Sequence, residues 1–540
     1  MKRKPTADPL HTVPMPDPDQ DLHNNGDEKP VLDAGDLFDS LAAQFPVCMA
    51  SDEFHFFPQA KARKFDWSRW DDFSTEALTN AIKQLTRWDR AFGQHLSPPL
   101  SLAHAIDADM LRRVIQTLRD QLALVRVTET QPTFYLTIVG IGLAEAFEAG
   151  SQALKARLKH LPAFLDQAVR NLNRVPRLFR DLGIDMLAKQ QRWLDSLSLP
   201  EARRIAIKDA FDRLGKHLRK TDAGEDFLPP VELYERIAAC HMGCFLGPGD
   251  IARELELEIA ETRSILTQSA ASIAPGRQWQ AVVDGLPRPQ MPPGGAREIY
   301  RNAISDLARH CSAQGLITTD LVRECPVEVD GIPDYMRPVR SNAAFSMPPV
   351  HPPRGGTFFI LETGKGAKIP ADYRLLTAHE TFPGHHLLDT YRWRQERPIR
   401  RHIEFPLFYE GWASFSEELM FETGFFSTPA DHMLMAKRRF WRAIRGQIDF
   451  DIHMRRRTLE DAAAFLTSQG IGPRRAKAMV QRYCLKPGYQ LAYTIGRRRF
   501  RRLYDAFCLK AANPVAFARR VLAQGEIGFN DLEQVLGQGD

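Results

Sequence analysis

The sequence predicts a mainly α-helical protein with a helical N-terminal half and a C-terminal half that carries one small sheet. Two observations carry this. Apolar residues recur at helical spacing over most of the chain, as in Leu111, Val114, Ile115, Leu118 and Leu122, the i, i+3, i+4, i+7, i+11 pattern of one buried helix face. Only one short run, Thr357-Phe358-Phe359-Ile360-Leu361, combines aromatic and β-branched residues in the manner of a strand.

From the N-terminus, residues 5–30 are rich in Pro, Asp, Asn and His, a composition too polar to bury a core. A disordered tail over residues 1–35 is expected. Helical pattern follows from about residue 75 to 270, broken at Pro98-Pro99, Pro132 and Pro229-Pro230. This defines a helical N-terminal subdomain over 36–285. Residues 285–295 hold four Pro and three Gly and read as a linker. Helical pattern resumes at Ala296, pauses at the Pro-rich stretch Met347 to Gly356 ahead of the strand, and runs from about 371 to the end. Residues 296–540 form the second subdomain, where the chemistry lies.

Composition sets bounds. The 540 residues are 44% hydrophobic and 26% charged, ordinary for a globular chain. A net charge of +5 is too slight over this length to argue for nucleic acid. The turn Gly470-Ile471-Gly472-Pro473-Arg474-Arg475-Ala476 has the look of a helix-hairpin-helix DNA contact, but it equally joins two helices, and no nucleic-acid partner is expected. Seven scattered cysteines, an odd number, argue against a disulfide framework. Cys240 and Cys244 bracket His241 without a second Cys/His pair nearby and read as structural thiols. Met1-Lys2-Arg3-Lys4 is not followed by an apolar run, and no later stretch reaches the roughly 18 apolar residues of a membrane span. The longest, Phe134 to Phe147, is interrupted by Glu145. A cytoplasmic protein without a membrane partner is expected.

The chemistry concentrates in Ala378-His379-Glu380-Thr381-Phe382-Pro383-Gly384-His385-His386. In a common zinc motif two His at i and i+4 on one helix share a metal, and the Glu after the first His acts on the attacking water. Here the later His residues stand at i+6 and i+7. On an unbroken helix i+6 points away and i+7 lies about 10 Å along the axis, so neither reaches the same ion. Pro383-Gly384 supplies the remedy: Pro interrupts the helical ladder and Gly permits unusual dihedrals, so a bulge or break there restores convergence. Glu410, in Tyr409-Glu410-Gly411-Trp412-Ala413-Ser414, supplies a third ligand from a following helix. Glu417, Glu418 and Glu422 continue that helix and are candidates to orient the ligand imidazoles. His379, His385 and Glu410 are therefore the expected zinc ligands, with His385 preferred over His386 because Gly384 precedes it and the smaller bulge suffices. His386 would then support the site or line the substrate-binding region.

These residues resemble the bacterial domain-of-unknown-function 885 proteins, which carry His-Glu-x-x-Pro-Gly-His-His followed by Glu-Gly-Trp-Ala. Further blocks are similar: Trp67-Ser-Arg-Trp70-Asp-Asp-Phe73, Gln131-Pro-Thr-Phe-Tyr135, Arg445-Gly-Gln-Ile-Asp449 through His453, and Arg482-Tyr483 through Gly496. Asp451 departs from the pattern, where Gly is expected. The resemblance spans roughly residues 65–535 and implies a zincin-like helical metallopeptidase architecture with a deep cleft, the sheet near the metal. Many members are exported or lipoproteins, a feature the expected cytoplasmic location does not share.

The expected activity is zinc-dependent hydrolysis of a peptide or other small amide, with Glu380 as general base. Hydrolysis of a non-peptide amide or ester, and an inactive metal-binding scaffold, are the alternatives. Tyr489, Tyr493 and His453, in the C-terminal blocks, are candidates to stabilise the developing oxyanion; packed core side chains are the other role open to each. The strand at Gly356 to Leu361 is a candidate edge for an extended peptide, or an ordinary strand under the helices. Arg400, Arg401, Arg442, Arg445 and Arg497 to Arg502 either form solvated helix faces or bind a substrate carboxylate.

Overall fold

The computed structural model describes residues 28–60, 68–95, 101–221, 223–333, 337, 343–361, 368–511 and 513–537. Most of the expected tail (residues 1–27), Trp67 and the Pro98-Pro99 break lie outside these. Residues 28–35, expected to be disordered, belong instead to a helix that begins at Glu28 and runs to Gln44. The physical reason is Leu37, Phe38 and Leu41, whose helical spacing buries all three.

Helices dominate, and proline often opens them: of the breaks read from the sequence, Pro132 begins a helix and Pro230 caps one. Pro132, Pro248, Pro406, Pro429, Pro473 and Pro514 each occupy the first helical position, where the missing N–H costs nothing and the fixed φ suits the helix. The apolar stretch Phe134 to Phe147 lies in helix Pro132–Ala149, most of it buried, as an all-round apolar helix must be. No described helix is long and apolar enough to cross a membrane. The segment read as a linker is non-helical through Gly294, and the next helix begins at Gly295. One buried apolar cluster nevertheless continues across it, from Ala34 to Leu536.

Three strands, β1 (Val327–Gly331), β2 (Ala344–Ser346) and β3 (Gly356–Ile360), form a sheet in the order β1-β3-β2. β1 runs parallel to β3 and β2 antiparallel. The strand legible in the sequence is therefore the central one, paired on both sides, and cannot serve as a docking edge. Phe358 and Ile360 alternate into the core, where Phe358 meets Tyr300 edge-on.

Six helices build or brace the site: α1 (Pro248–Ile273), α2 (Tyr373–Glu380), α3 (His385–Arg394), α4 (Pro406–Glu422), α5 (Pro429–His453) and α6 (Leu491–Ala511). α4 crosses α6 at Gly411 and Gly496, where a Cβ on Gly411 would stand 2.6 Å from the Cα of Gly496. Only two glycines allow so close a crossing. α1, from the N-terminal half, packs on α5 and α6 through charge: Glu258 on α1 accepts from Arg439 (2.8 Å) and Arg498 (2.9 Å) and also meets Arg497. Burial alone would raise the Glu258 carboxyl, but Arg497 and Arg439 hold it down at about 2.

Candidate metal centre

The unusual spacing between His379 and His385 resolves into a full break. α2 ends at Glu380, and α3 restarts at His385 after a turn through Thr381-Phe382-Pro383-Gly384. The Gly384 N–H donates to the Ala378 carbonyl at 3.0 Å, folding the turn back on α2. A Cβ at position 384 would lie 1.9 Å from the His379 carbonyl oxygen, so only glycine permits this return. Trp412 on α4 fastens the turn from the other side, its Nε1–H donating to the Pro383 carbonyl at 2.9 Å. The Pro-Gly pair and the Glu-Gly-Trp triplet thus meet in one structural device.

The break turns His379 and His385 toward one point. Their ring centroids are 4.7 Å apart and nearly perpendicular. His379 Nε2 lies 3.6 Å and His385 Nε2 3.5 Å from Glu410 Oε2. That oxygen is buried and has no hydrogen-bond partner, although Glu410 Oε1 accepts from the Tyr489 hydroxyl at 2.8 Å. A carboxylate held by one oxygen and bare at the other, facing two imidazole nitrogens, is a ready three-ligand set. Two ligands at ~2.0–2.1 Å from a tetrahedral zinc stand about 3.4 Å apart, so the observed separations fit. Among the described residues, this is the one group of three or more His, Cys, Asp or Glu side chains close enough to hold an ion.

Electrostatics around the three are arranged from behind. His379 Nδ1 lies between Glu417 Oε1 at 3.3 Å and Arg442 Nη2 at 3.2 Å; a hydrogen on Nδ1 directed at the carboxylate leaves the Nε2 lone pair for the site. Glu417 is fixed by the fork of Arg438 (3.0 Å from Nε and from Nη2) and by Arg442 Nη2 at 2.6 Å. Burial would raise Glu417, but Arg438 and Arg442 hold it well below the usual carboxylate range. Glu410 is likewise pushed up by burial and held well down by its contacts with His379 and His385. His385 stacks on Tyr409 at 4.1 Å between centroids, and the Tyr409 hydroxyl donates to Asp389 Oδ2 at 3.2 Å. Glu418 and Glu422, by contrast, turn to Arg497 and Arg501 and take no part in orienting the imidazoles.

Glu380, the last residue of α2, is buried beside the cluster. Its Oε2 accepts from the Phe345 N–H of β2 at 2.9 Å, so the sheet edge sets its rotamer. Burial, with Glu410's charge adding, lifts its carboxyl to about 7, against the opposing pull of His385. His379, Glu380, His385 and Glu410 are between 4% and 7% exposed, recessed without being sealed.

The remaining expected residues divide. Tyr489 precedes α6 and Tyr493 lies in its first turn; both face Glu410, and burial with that charge raises both hydroxyls well above the usual range. His453 does not join the cluster. It is fully buried, its Nδ1 against Asp449 (2.7 Å from the carbonyl, 2.8 Å from Oδ1), its ring stacked on Tyr234 at 4.9 Å. Asp449 in turn accepts from the N–H groups of Gly488 and Gln490, so His453 braces the loop that carries Tyr489. Of the two places expected for His386, supporting the site or lining it, the structure gives a fully buried one: Nε2 donates to the Cys325 carbonyl at 3.0 Å, Phe345 and Phe382 enclose the ring, and burial lowers it to about 4.

Sequence reasoning did not single out Phe345, Tyr409, Arg438 or His55. The His55 ring lies 5.0 Å from that of Tyr489, bringing the N-terminal segment over the site; nothing in its sequence neighbourhood signals this. Tyr409 was legible only as Glu410's neighbour. All seven cysteines are free. Cys244 is buried, Cys240 half-buried, and His241 meets Asp120 at 3.3 Å. Most of the basic side chains are internal ion-pair partners: Arg400 with Asp107, Arg498 and Arg502 with Glu254, Arg501 with Asp505.

The fold and site define a mainly helical protein with a buried His-His-Glu group on a broken helix pair. Residues 60–536 match the family described as bacterial protein of unknown function, DUF885, and the chain belongs to it. Two solved structures share the fold. One is a candidate lipoprotein from Colwellia psychrerythraea, with 16% identity and a TM-score of 0.75; the other is a candidate lipoprotein of unknown function from Shewanella oneidensis, with 15% and 0.69. Each alignment covers 95% of this chain and 99% of the other. No curated protein sequence matches.

Proposed function

We propose that this protein is a zinc-dependent hydrolase of peptide bonds, zincin-like in architecture, with His379, His385 and Glu410 holding the ion and Glu380 as general base. The observation that carries the reading is the bare Glu410 Oε2, buried and faced by two imidazole nitrogens 3.5 and 3.6 Å away, with a second buried carboxyl, Glu380, alongside. Bound there, zinc supplies Lewis-acid activation of water and of a carbonyl.

The chain's own groups divide the remaining work. Phe345 N–H fixes Glu380 Oε2, which leaves Oε1 to take a proton from the attacking water and deliver it to the leaving amine. A carboxyl lifted to about 7 by burial is matched to moving a proton in both directions near neutral pH. Tyr493 offers a hydroxyl donor for charge developing on the scissile carbonyl oxygen. Tyr489 orients Glu410 through its 2.8 Å bond. Glu417 keeps the His379 tautomer.

The test is a digest of a mixed peptide library read by mass spectrometry. Cleavage that a chelator abolishes and zinc restores is expected. A zinc-loaded protein that cuts no peptide, or cleavage indifferent to chelator, overturns the proposal.

A further inference from the structure

Arg445 differs from the arginines around it. Its guanidinium lies over the Tyr493 ring at 4.8 Å, it pairs with no carboxylate among the described residues, and its Nε is buried without a hydrogen-bond partner. The neighbouring Arg442, 5.9 Å from the same ring, spends Nη2 on Glu417 and leaves Nη1 buried and unpartnered. Tyr483, close enough to feel the Arg445 charge, has a buried hydroxyl with no partner. Buried N–H and O–H groups are nearly always satisfied, so bare ones call for a ligand. Here three donors from two cations and a phenol stand bare, and both cations lie against the ring of Tyr493, a residue that also feels the charge of Glu410. A local counter-charge for Asp449 does not account for them, because Asp449 is already occupied by Gly488 N–H, Gln490 N–H and His453.

We infer that Arg445, with Arg442 and Tyr483, forms a subsite for the free C-terminal carboxylate of a peptide, one ring away from the candidate metal centre. A carboxylate is the ligand that this set recognises: planar, anionic, and an acceptor only, satisfied by guanidinium N–H groups and a hydroxyl. The inference rests on the peptide-hydrolase reading and narrows it to removal of short fragments from the C-terminal end.

The experiment uses two pools of N-acetylated hexapeptides randomised at every position, one ending in free acids and the other in amides. The zinc-loaded full chain is compared with Arg445→Ala and Arg445→Lys. A charge-assisted contact of this kind gives about a 10- to 100-fold preference. Wild type should cut the acid pool faster than the amide pool by that factor, within one to three residues of the C-terminus. Arg445→Ala should bring the ratio close to one, and Arg445→Lys should retain part of it. The ratio is internal, so a variant that folds in lower yield still reports. Equal cutting of both pools by wild type, or a ratio unchanged in Arg445→Ala, overturns the subsite. Retention of the same pools on Glu380→Gln, read by mass spectrometry, separates the two readings. If nothing is cut but the acid pool is selectively retained and Arg445→Ala releases it, the subsite stands and hydrolysis fails. Absence of both cutting and selective retention overturns both.

Discussion

Trp412 Nε1 donates to the carbonyl of Pro383 across 2.9 Å, tying the helix of one metal-ligand candidate to the turn between the other two. Glu410 stands two residues before the indole and His385 two residues after the proline, so one hydrogen bond sets the distance between the elements that carry them. Trp412→Phe keeps the ring's packing and removes only the donor. The Pro383 carbonyl is then bare, at a cost of about 1–3 kcal/mol, and the ligands lose registry. Zinc affinity, measured by competition with a chelator, should fall by about 10- to 100-fold, the usual effect of a supporting group. Unchanged affinity would show that the turn holds itself.

His385 and His386 are adjacent in sequence and differently placed: His385 Nε2 faces Glu410, whereas Phe345 and Phe382 enclose His386. His385→Ala should empty the site under chelator competition and change stability little beyond the loss of its Tyr409 stacking. His386→Ala should retain zinc and destabilise the fold by on the order of 2 kcal/mol or more, because it leaves a void between Phe345 and Phe382 and strips the Cys325 carbonyl of its donor. Retained zinc in the first variant with an empty site in the second would reverse the assignment.

Glu380→Gln keeps the side chain's volume but can neither take nor deliver a proton. Zinc content should remain near that of wild type, while peptide cleavage falls by on the order of 100- to 10,000-fold. Near-wild-type turnover would place the base elsewhere.

Acid should loosen the packing of α1 on α5 and α6. Glu258 is charged in the folded state down to about pH 2, because Arg497 and Arg439 overcome the effect of its burial. A carboxyl depressed on folding contributes stability that is fully present above its unfolded value, about 4.3, and is lost as pH falls through the folded value. Denaturant unfolding between pH 5 and about 2 should therefore show a loss of a few kcal/mol, reduced in Glu258→Gln. An identical slope in both proteins would remove Glu258 from the account.

What the sequence disclosed follows from the range of the interactions involved. Helices announce themselves by local period, and β3 by its local composition. The candidate ligand types at 379, 385 and 410 and the need for a break at Pro383-Gly384 are also local. The sequence left open whether the break is a bulge or a full restart, because Trp412 and the backbone contact at Gly384 decide it. Phe345, which fixes Glu380 from 35 positions away, and His55, which approaches Tyr489 from the N-terminal segment, depend on topology that no local pattern encodes. β3 was open to reading as an edge because its partners β1 and β2 are short and weakly patterned. His453 has the chemistry of a catalytic imidazole, and only its stacking on Tyr234 and bond to Asp449 reveal a bracing role.

Metal content decides whether His379, His385 and Glu410 together hold one zinc ion, as proposed. Wild type and Glu410→Ala, loaded with zinc and dialysed together against the same weak chelator, should differ sharply. About one zinc per chain is expected in wild type and little in the variant, where two imidazoles remain without their carboxylate. Equal zinc in the two proteins, or none in wild type, would contradict the account.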